Sequence, residues 1–228
     1  MKSKKKEVDK KYNNKIKEGF HKFWYLLWQD DSFKGWIFSL IFLFLLVQYI
    51  IFPSLRLVTG TSLPLAIVET CSMYHQGNFF STFQGWFDND KEEKYLRYSI
   101  TKKEFEKFPL KRGFSKGDII FMVKADLEKL QVGDVIAFDA GTKSTPIVHR
   151  IIKIREENGK RVFTTMGDNN QEILKPNNNL WNIDEESIRE EQILGRVLFR
   201  VVPEIGWVKL IFFEPNKPVL ERGLCKQN

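Results

Sequence analysis

Cysteine and histidine are scarce in this chain of 228 residues, which has two Cys, at 71 and 225, and three His. Two cysteines supply neither a disulfide framework nor a metal-ligand spacing, so neither is expected. That is mildly unusual for an exported domain, and it leaves the redox compartment unread. Three histidines without an HExxH-like spacing leave no zinc site that does not borrow carboxylates. Internal repeats are absent as well. So is any second long uncharged run: residues 205–213 are apolar, but they are short and Lys209 interrupts them. At most one membrane span is therefore expected.

That one run is residues 35–55, which hold no charged side chain. As a helix it measures roughly 30 Å, the thickness of a bilayer's hydrocarbon. A cleavable signal peptide would be shorter and followed by small residues, and a buried core helix is the bland alternative. The reading adopted is a transmembrane helix. The net charge of +7 is concentrated before it, where residues 1–34 carry ten Lys against five acidic residues and leave +2 for the rest of the chain. Lysines flanking a span place that end in the cytoplasm and meet anionic headgroups, so the charge is a topology signal and nucleic acid is not an expected partner. Everything after residue 55 is then extracytoplasmic at the cell membrane. Residues 16–28 mix Lys with aromatics and suit an interfacial amphipathic helix or a continuation of the anchor, with His21 at the headgroups. Asp30, Asp31 and Ser32 offer N-cap side chains to the span.

Beyond Gly60 the chain reads as short strands with Gly-Asp and Asn-Gly punctuation, which argues for a mainly β domain. The candidates are residues 63–70, 119–123, 135–138, 147–154, 161–165 and 194–202, with a turn at 156–160 and a polar loop around Asn177–Asn179. The domains expected are a basic segment at 1–34, the span at 35–55, a catalytic β-domain at 60–215 and a tail at 216–228.

Three segments carry chemistry-bearing residues in one order: Glu69-Thr70-Cys71-Ser72-Met73, Pro146-Ile147-Val148-His149-Arg150 and Gly167-Asp168-Asn169-Asn170. A hydroxyl, an imidazole and a carboxylate make an activated serine if the fold brings them together. Singly, each is ordinary: a turn serine, a hydrogen-bonded structural histidine, an aspartate in an Asx-turn. The ordered set, however, resembles type I signal peptidases of the archaeal and endoplasmic-reticulum branch, family S26. There an SGSM-like box follows the anchor, an IPIVHR-like strand carries histidine and a TKGDNN-like turn carries aspartate. Gly117-Asp118, the 133–138 segment GDVIAF, Gly195-Arg196-Val197 and the 202–206 segment VPEIG resemble further boxes of that family. The resemblance runs from about Gly60 to Trp207. The bacterial branch would carry lysine at His149.

The resemblance implies a signal-peptidase-like β-barrel or sandwich and an acyl-transfer mechanism. Ser72 is the expected nucleophile, His149 the general base and Asp168 the acid that orients it, with Thr70 a further oxyanion donor. No metal or organic cofactor is implied. The implied partners are signal peptides of secretory preproteins, the lipid bilayer and the protein-export translocon. A substrate would add as a strand, with small side chains in shallow apolar pockets. Several positions depart from the family. Cys71 replaces a glycine and raises a thiol nucleophile as an alternative. His75, three residues from Ser72, is a second candidate base. Some members carry another acid six residues beyond the GDNN aspartate; here that position is Leu174, and Glu172 is the nearest substitute.

The chain also carries an insertion, about 76–114, with Phe79, Phe80, Phe83, Trp86, Phe87, Tyr95, Phe105 and Phe108 among many charges. It reads equally as a satellite subdomain packed on the barrel or as a membrane-resting flap that tunes substrate engagement without supplying catalytic groups. For the whole chain, the leading function is a membrane-anchored serine endopeptidase. The alternatives are a catalytically silent β-domain that binds export clients and a peptidase for a specialised precursor class.

Overall fold

The computed structural model of the chain describes residues 2–76, 86–87, 91–141, 145–179, 181–216 and 222–226, with residues 2–13 described by backbone alone. It divides into two compact units, Met1–Leu55 and Arg56–Asn228.

The first unit is helical. Helix α1 (Lys2–Trp28) ends before the Asp30–Ser32 turn, and α2 (Phe33–Leu46) begins where Ser32 Oγ accepts the Gly35 N–H at 3.1 Å. This is N-capping by one of the residues offered for it. The chain folds back, so that Phe23 meets the rings of Phe38 and Phe42 and Ser39 Oγ donates to the Leu27 carbonyl. Residues 16–28 are thus a separate helix and not a continuation of the apolar one. The helical run continues through a π-helical stretch (Val47–Ile51) into α3 (Phe52–Thr59). The widened turn lies just before Pro53, whose ring cannot donate to the carbonyl four residues back. Phe33–Thr59 is long and apolar enough to cross a membrane.

The second unit is built on a seven-stranded antiparallel sheet in the order β1-β2-β7-β3-β4-β5-β6. Its strands are β1 (Leu65–Ile67), β2 (Ile119–Val123), β3 (Val135–Phe138), β4 (Ile147–Glu157), β5 (Lys160–Met166), β6 (Ile188–Arg189) and β7 (Ile193–Val202). Each long strand falls where alternating β-branched and aromatic residues place it. Only the two-residue β6 lacked a sequence signal. β4 and β5 turn through Asn158 and Gly159, both at positive φ, the conformation an Asn-Gly hairpin needs.

Strand β3 is buried on both faces. Val135 and Ala137 point into a core with Met73, Phe114, Ile120 and Met122, while Ile136 and Phe138 point into another with Ile151, Phe163 and Ile183. The period of two of a strand produces this division. The two Gly-Asp turns are one device used twice. Asp118 Oδ2 accepts the Ser115 N–H and Asp134 Oδ2 accepts the Gln131 N–H, each closing a turn three residues long ahead of a strand. Gly117 sits at φ +91°, and a Cβ there would come within 2.4 Å of the Trp207 ring, so only glycine fits.

The described part of the insertion is core. Trp86, Phe87, Tyr95 and Phe105 are buried with Ile152, Met166 and Ile173, and Phe108 packs half-buried beside them. These rings are therefore packed inside the second unit and are not exposed at its surface. Phe79, Phe80 and Phe83 lie outside the described residues. Helices α4 (Lys91–Leu96) and α5 (Lys102–Phe105) belong to this segment, and α6 (Trp207–Phe213) follows the sheet.

The cysteines correct the expectation of no disulfide. Cys71 and Cys225 are bonded to each other across 154 positions. Two lone cysteines so far apart carry no spacing signal, and only the folding of the tail back to the serine box brings them together.

Candidate active site

Ser72 follows β1 in a turn, and His149 is the third residue of β4. Both line one cavity of about 540 Å³, together with Thr70, Ala66, Ile120 and Met122. β1 lies four places from β4 in strand order, yet residues of both strands line this cavity, so the sheet curls around it. Ser72 Oγ lies 3.3 Å from Thr70 Oγ1. Thr70 is therefore at the nucleophile candidate's own hydroxyl, and it also faces the cavity.

The acid paired with His149 is not the expected one. His149 Nδ1 is hydrogen-bonded to Glu185 Oε1. Glu185 is fully buried and held on both oxygens: Thr165 Oγ1 donates to Oε1 at 3.0 Å and the Leu174 N–H donates to Oε2 at 2.8 Å. Its own N–H donates to the Leu174 carbonyl. Glu185 thus occupies the place beside Leu174 where the family resemblance anticipated an acid at 174 itself. Glu172, the substitute expected there, is exposed to solvent.

Asp168 is elsewhere, and the pleat explains why. His149 and Arg150 are adjacent on β4, so their side chains leave opposite faces. Arg150 takes Asp168 with it: Nε to Oδ1 at 2.9 Å and Nη2 to Oδ2 at 2.7 Å, both side chains fully buried. His75 Nε2 and Tyr95 Oη complete the carboxylate's partners at 2.9 and 2.8 Å. His75 itself is stacked on Trp86, 3.5 Å between ring centroids, and does not line the cavity. Neither Asp168 as the orienting acid nor His75 as a second base fits this placement. Cys71, bonded to Cys225, has no thiol to offer.

The Asp168 cluster makes a prediction about stability. Burial, the largest single influence, pushes the Asp168 carboxyl up, but the charge and hydrogen bonds of Arg150 together with the His75 hydrogen bond outweigh it and hold the group well below the carboxylate range. Burial holds His75 down against the pull of Asp168. A depressed carboxylate contributes stability that is present above its unfolded value, near ~4, and is lost as pH falls toward the folded one. A depressed histidine also loses stability with acid, because below ~6.5 the unfolded chain binds a proton that the fold refuses. Both signs agree. Urea midpoints followed by tryptophan fluorescence should fall between pH 7 and pH 5 and fall further below pH 4. A midpoint that stays flat over that range would contradict the assignment.

No protein-family model matches the chain. Individual relatives do. The chain is 30% identical over 101 residues to the signal peptidase complex catalytic subunit SEC11 of Candida albicans, covering 44% of this chain and 58% of that protein. It is 31% identical over 104 residues to SEC11 of Eremothecium gossypii, covering 44% and 59%. It is 29% identical over 99 residues to the human subunit SEC11C, covering 43% and 50%. Over part of its length the chain is thus similar to signal peptidase catalytic subunits. It spans roughly half to three fifths of the length of these curated relatives. The fold brings the serine and histidine boxes to one cavity, whereas no spacing rule ties Glu185, the hydrogen-bond partner of His149 Nδ1, to that histidine.

Proposed function

We propose that the chain is a membrane-anchored serine endopeptidase that removes signal peptides from exported preproteins. The observation that carries the reading is the joint placement of Ser72 and His149 on one apolar cavity, with Glu185 bound to His149 Nδ1. The similarity to signal peptidase catalytic subunits supports the substrate class.

In this mechanism Glu185 fixes the imidazole with its proton on Nδ1, which leaves Nε2 as the base. Ser72 Oγ turns from Thr70 and attacks the scissile carbonyl carbon while its proton passes to His149 Nε2. Backbone N–H groups near Ser72, with the Thr70 hydroxyl, receive the developing oxyanion. Collapse of the tetrahedral intermediate breaks the C–N bond, and the imidazolium returns its proton to the leaving amine of the mature chain. The signal peptide stays esterified to Ser72 until water, deprotonated by His149, hydrolyses the ester. This scheme requires no metal or cofactor.

The substrate adds to β1, an edge strand paired among the described residues with β2 alone, whose residues Leu65, Ala66 and Ile67 line the cavity. The lysine-rich N-terminal end lies on the cytoplasmic side, the apolar Phe33–Thr59 helix spans the cell membrane with the end of α1 packed against it, and the catalytic domain works on the far side, with the translocon as a neighbour. The test uses the full chain in liposomes with a model preprotein. Cleavage is expected after a small residue, and a Trp at the position before the cut should reduce it at least 100-fold. Equal cleavage of both preproteins would remove the substrate reading.

A further inference from the structure

Lys94 lies on α4, in the inserted segment, and its side chain is 4% exposed. A buried ammonium has three donors and a desolvation cost, so its partners describe what it is for. Here they are main-chain carbonyls of one turn. Nζ donates to Asp168 O at 2.8 Å, to Asn170 O at 2.7 Å and, at 3.4 Å, to Gly167 O. The next residue, Tyr95, donates to the Asp168 carboxylate. Arg150, His75 and Tyr95 thus hold the side chain of Asp168, and Lys94 holds the backbone around it.

That turn is the mount of the serine box. The Asn169 N–H donates to the Ser72 carbonyl at 2.7 Å, and Asn169 Nδ2 donates to the Cys71 carbonyl at 3.1 Å. Gly167 lies so close that a Cβ would come within 2.7 Å of the Ser72 carbonyl oxygen. A shift of the turn therefore shifts the Ser72 peptide. Burial, largest among the influences on it, pushes the Lys94 ammonium down to about 7, so all three donors are present on the acid side of neutrality and the amine keeps two above it.

We infer that Lys94 is a positioning residue for the nucleophile: it clamps the Gly167–Asn170 turn, which in turn holds the Ser72 peptide. The insertion is then more than a packed appendage, because its Lys94 and Tyr95 side chains hold the turn behind Ser72. The inference rests on the proposed role of Ser72, and its test includes a readout that needs no catalysis.

The experiment compares wild type and Lys94→Met as full chains in liposomes. In the first arm, hydrogen–deuterium exchange is followed in peptides covering 70–76 and 165–172. Exchange at Asn169 is expected to be at least 10-fold faster in the variant, with distant strands such as β5 and β7 unchanged. In the second arm, preprotein cleavage per folded molecule should show kcat lowered about 10- to 100-fold at a KM within about twofold, the pattern of a displaced reacting group. A role in folding alone would lower the folded fraction and leave kcat per folded molecule intact, which overturns the inference. Unchanged exchange at Asn169 overturns it too. If the preprotein is cleaved by neither protein, the peptidase reading falls and the exchange arm still decides whether Lys94 holds the turn. Should Lys94→Met not fold, Lys94→Gln, which is shorter and keeps two donors, carries the same readouts.

Discussion

Glu185→Gln is expected to lower kcat for preprotein cleavage about 10⁴-fold while leaving KM nearly unchanged, the scale of loss when a triad acid is replaced by its amide. The reason is tautomeric. The carboxylate on His149 Nδ1 accepts a proton that must sit there if Nε2 is to be the base, and an amide can donate to Nδ1 instead and hold the wrong tautomer. Asp168→Asn should behave differently. It weakens the bidentate, fully buried pair with Arg150, a change of the kind that costs about 3–5 kcal/mol when a buried charge loses its partner. The folded fraction should therefore fall, while kcat per folded molecule should change far less than in Glu185→Gln. The opposite ranking, with Glu185→Gln near wild type and Asp168→Asn inactive but folded, would return the orienting role to Asp168.

What the sequence made legible was whatever is written in local pattern. The strands at 119–123, 135–138 and 194–202 formed within a residue of where period-two alternation and Gly-Asp turns placed them. The strand foreseen at 63–70 is only Leu65–Ile67, because the chain turns at Glu69–Met73 to present the serine box. Ser72 and His149 were legible because each sits in a box of recognisable neighbours. Glu185 was not, since its neighbours Glu186 and Asp184 look equally able and nothing local distinguishes them. It is chosen by two hydrogen bonds with the Leu174 backbone, eleven positions away: its N–H donates to the Leu174 carbonyl and its carboxylate accepts the Leu174 N–H. The placement of Asp168 away from His149 follows from something the sequence does contain. His149 and Arg150 are adjacent, strand neighbours face opposite ways, and a buried arginine demands a carboxylate. The Cys71–Cys225 bond and the Lys94 clamp were illegible because both depend on long-range placement of segments that have no periodic signal.

The most direct test of the account is Ser72→Ala. In the proposed mechanism the serine oxygen forms the new bond, so its removal leaves only binding and oxyanion stabilisation, and losses of about 10⁶-fold are usual for such a group. The substitution removes one oxygen from a residue whose hydroxyl contacts only the Thr70 hydroxyl among the described residues, so the fold should be retained. The measurement is single-turnover cleavage of a radiolabelled preprotein by wild type and Ser72→Ala in liposomes, each normalised to folded, inserted protein. The account predicts cleavage by wild type and none above the uncatalysed background by Ser72→Ala. Cleavage by folded Ser72→Ala at a rate within tenfold of wild type would contradict it.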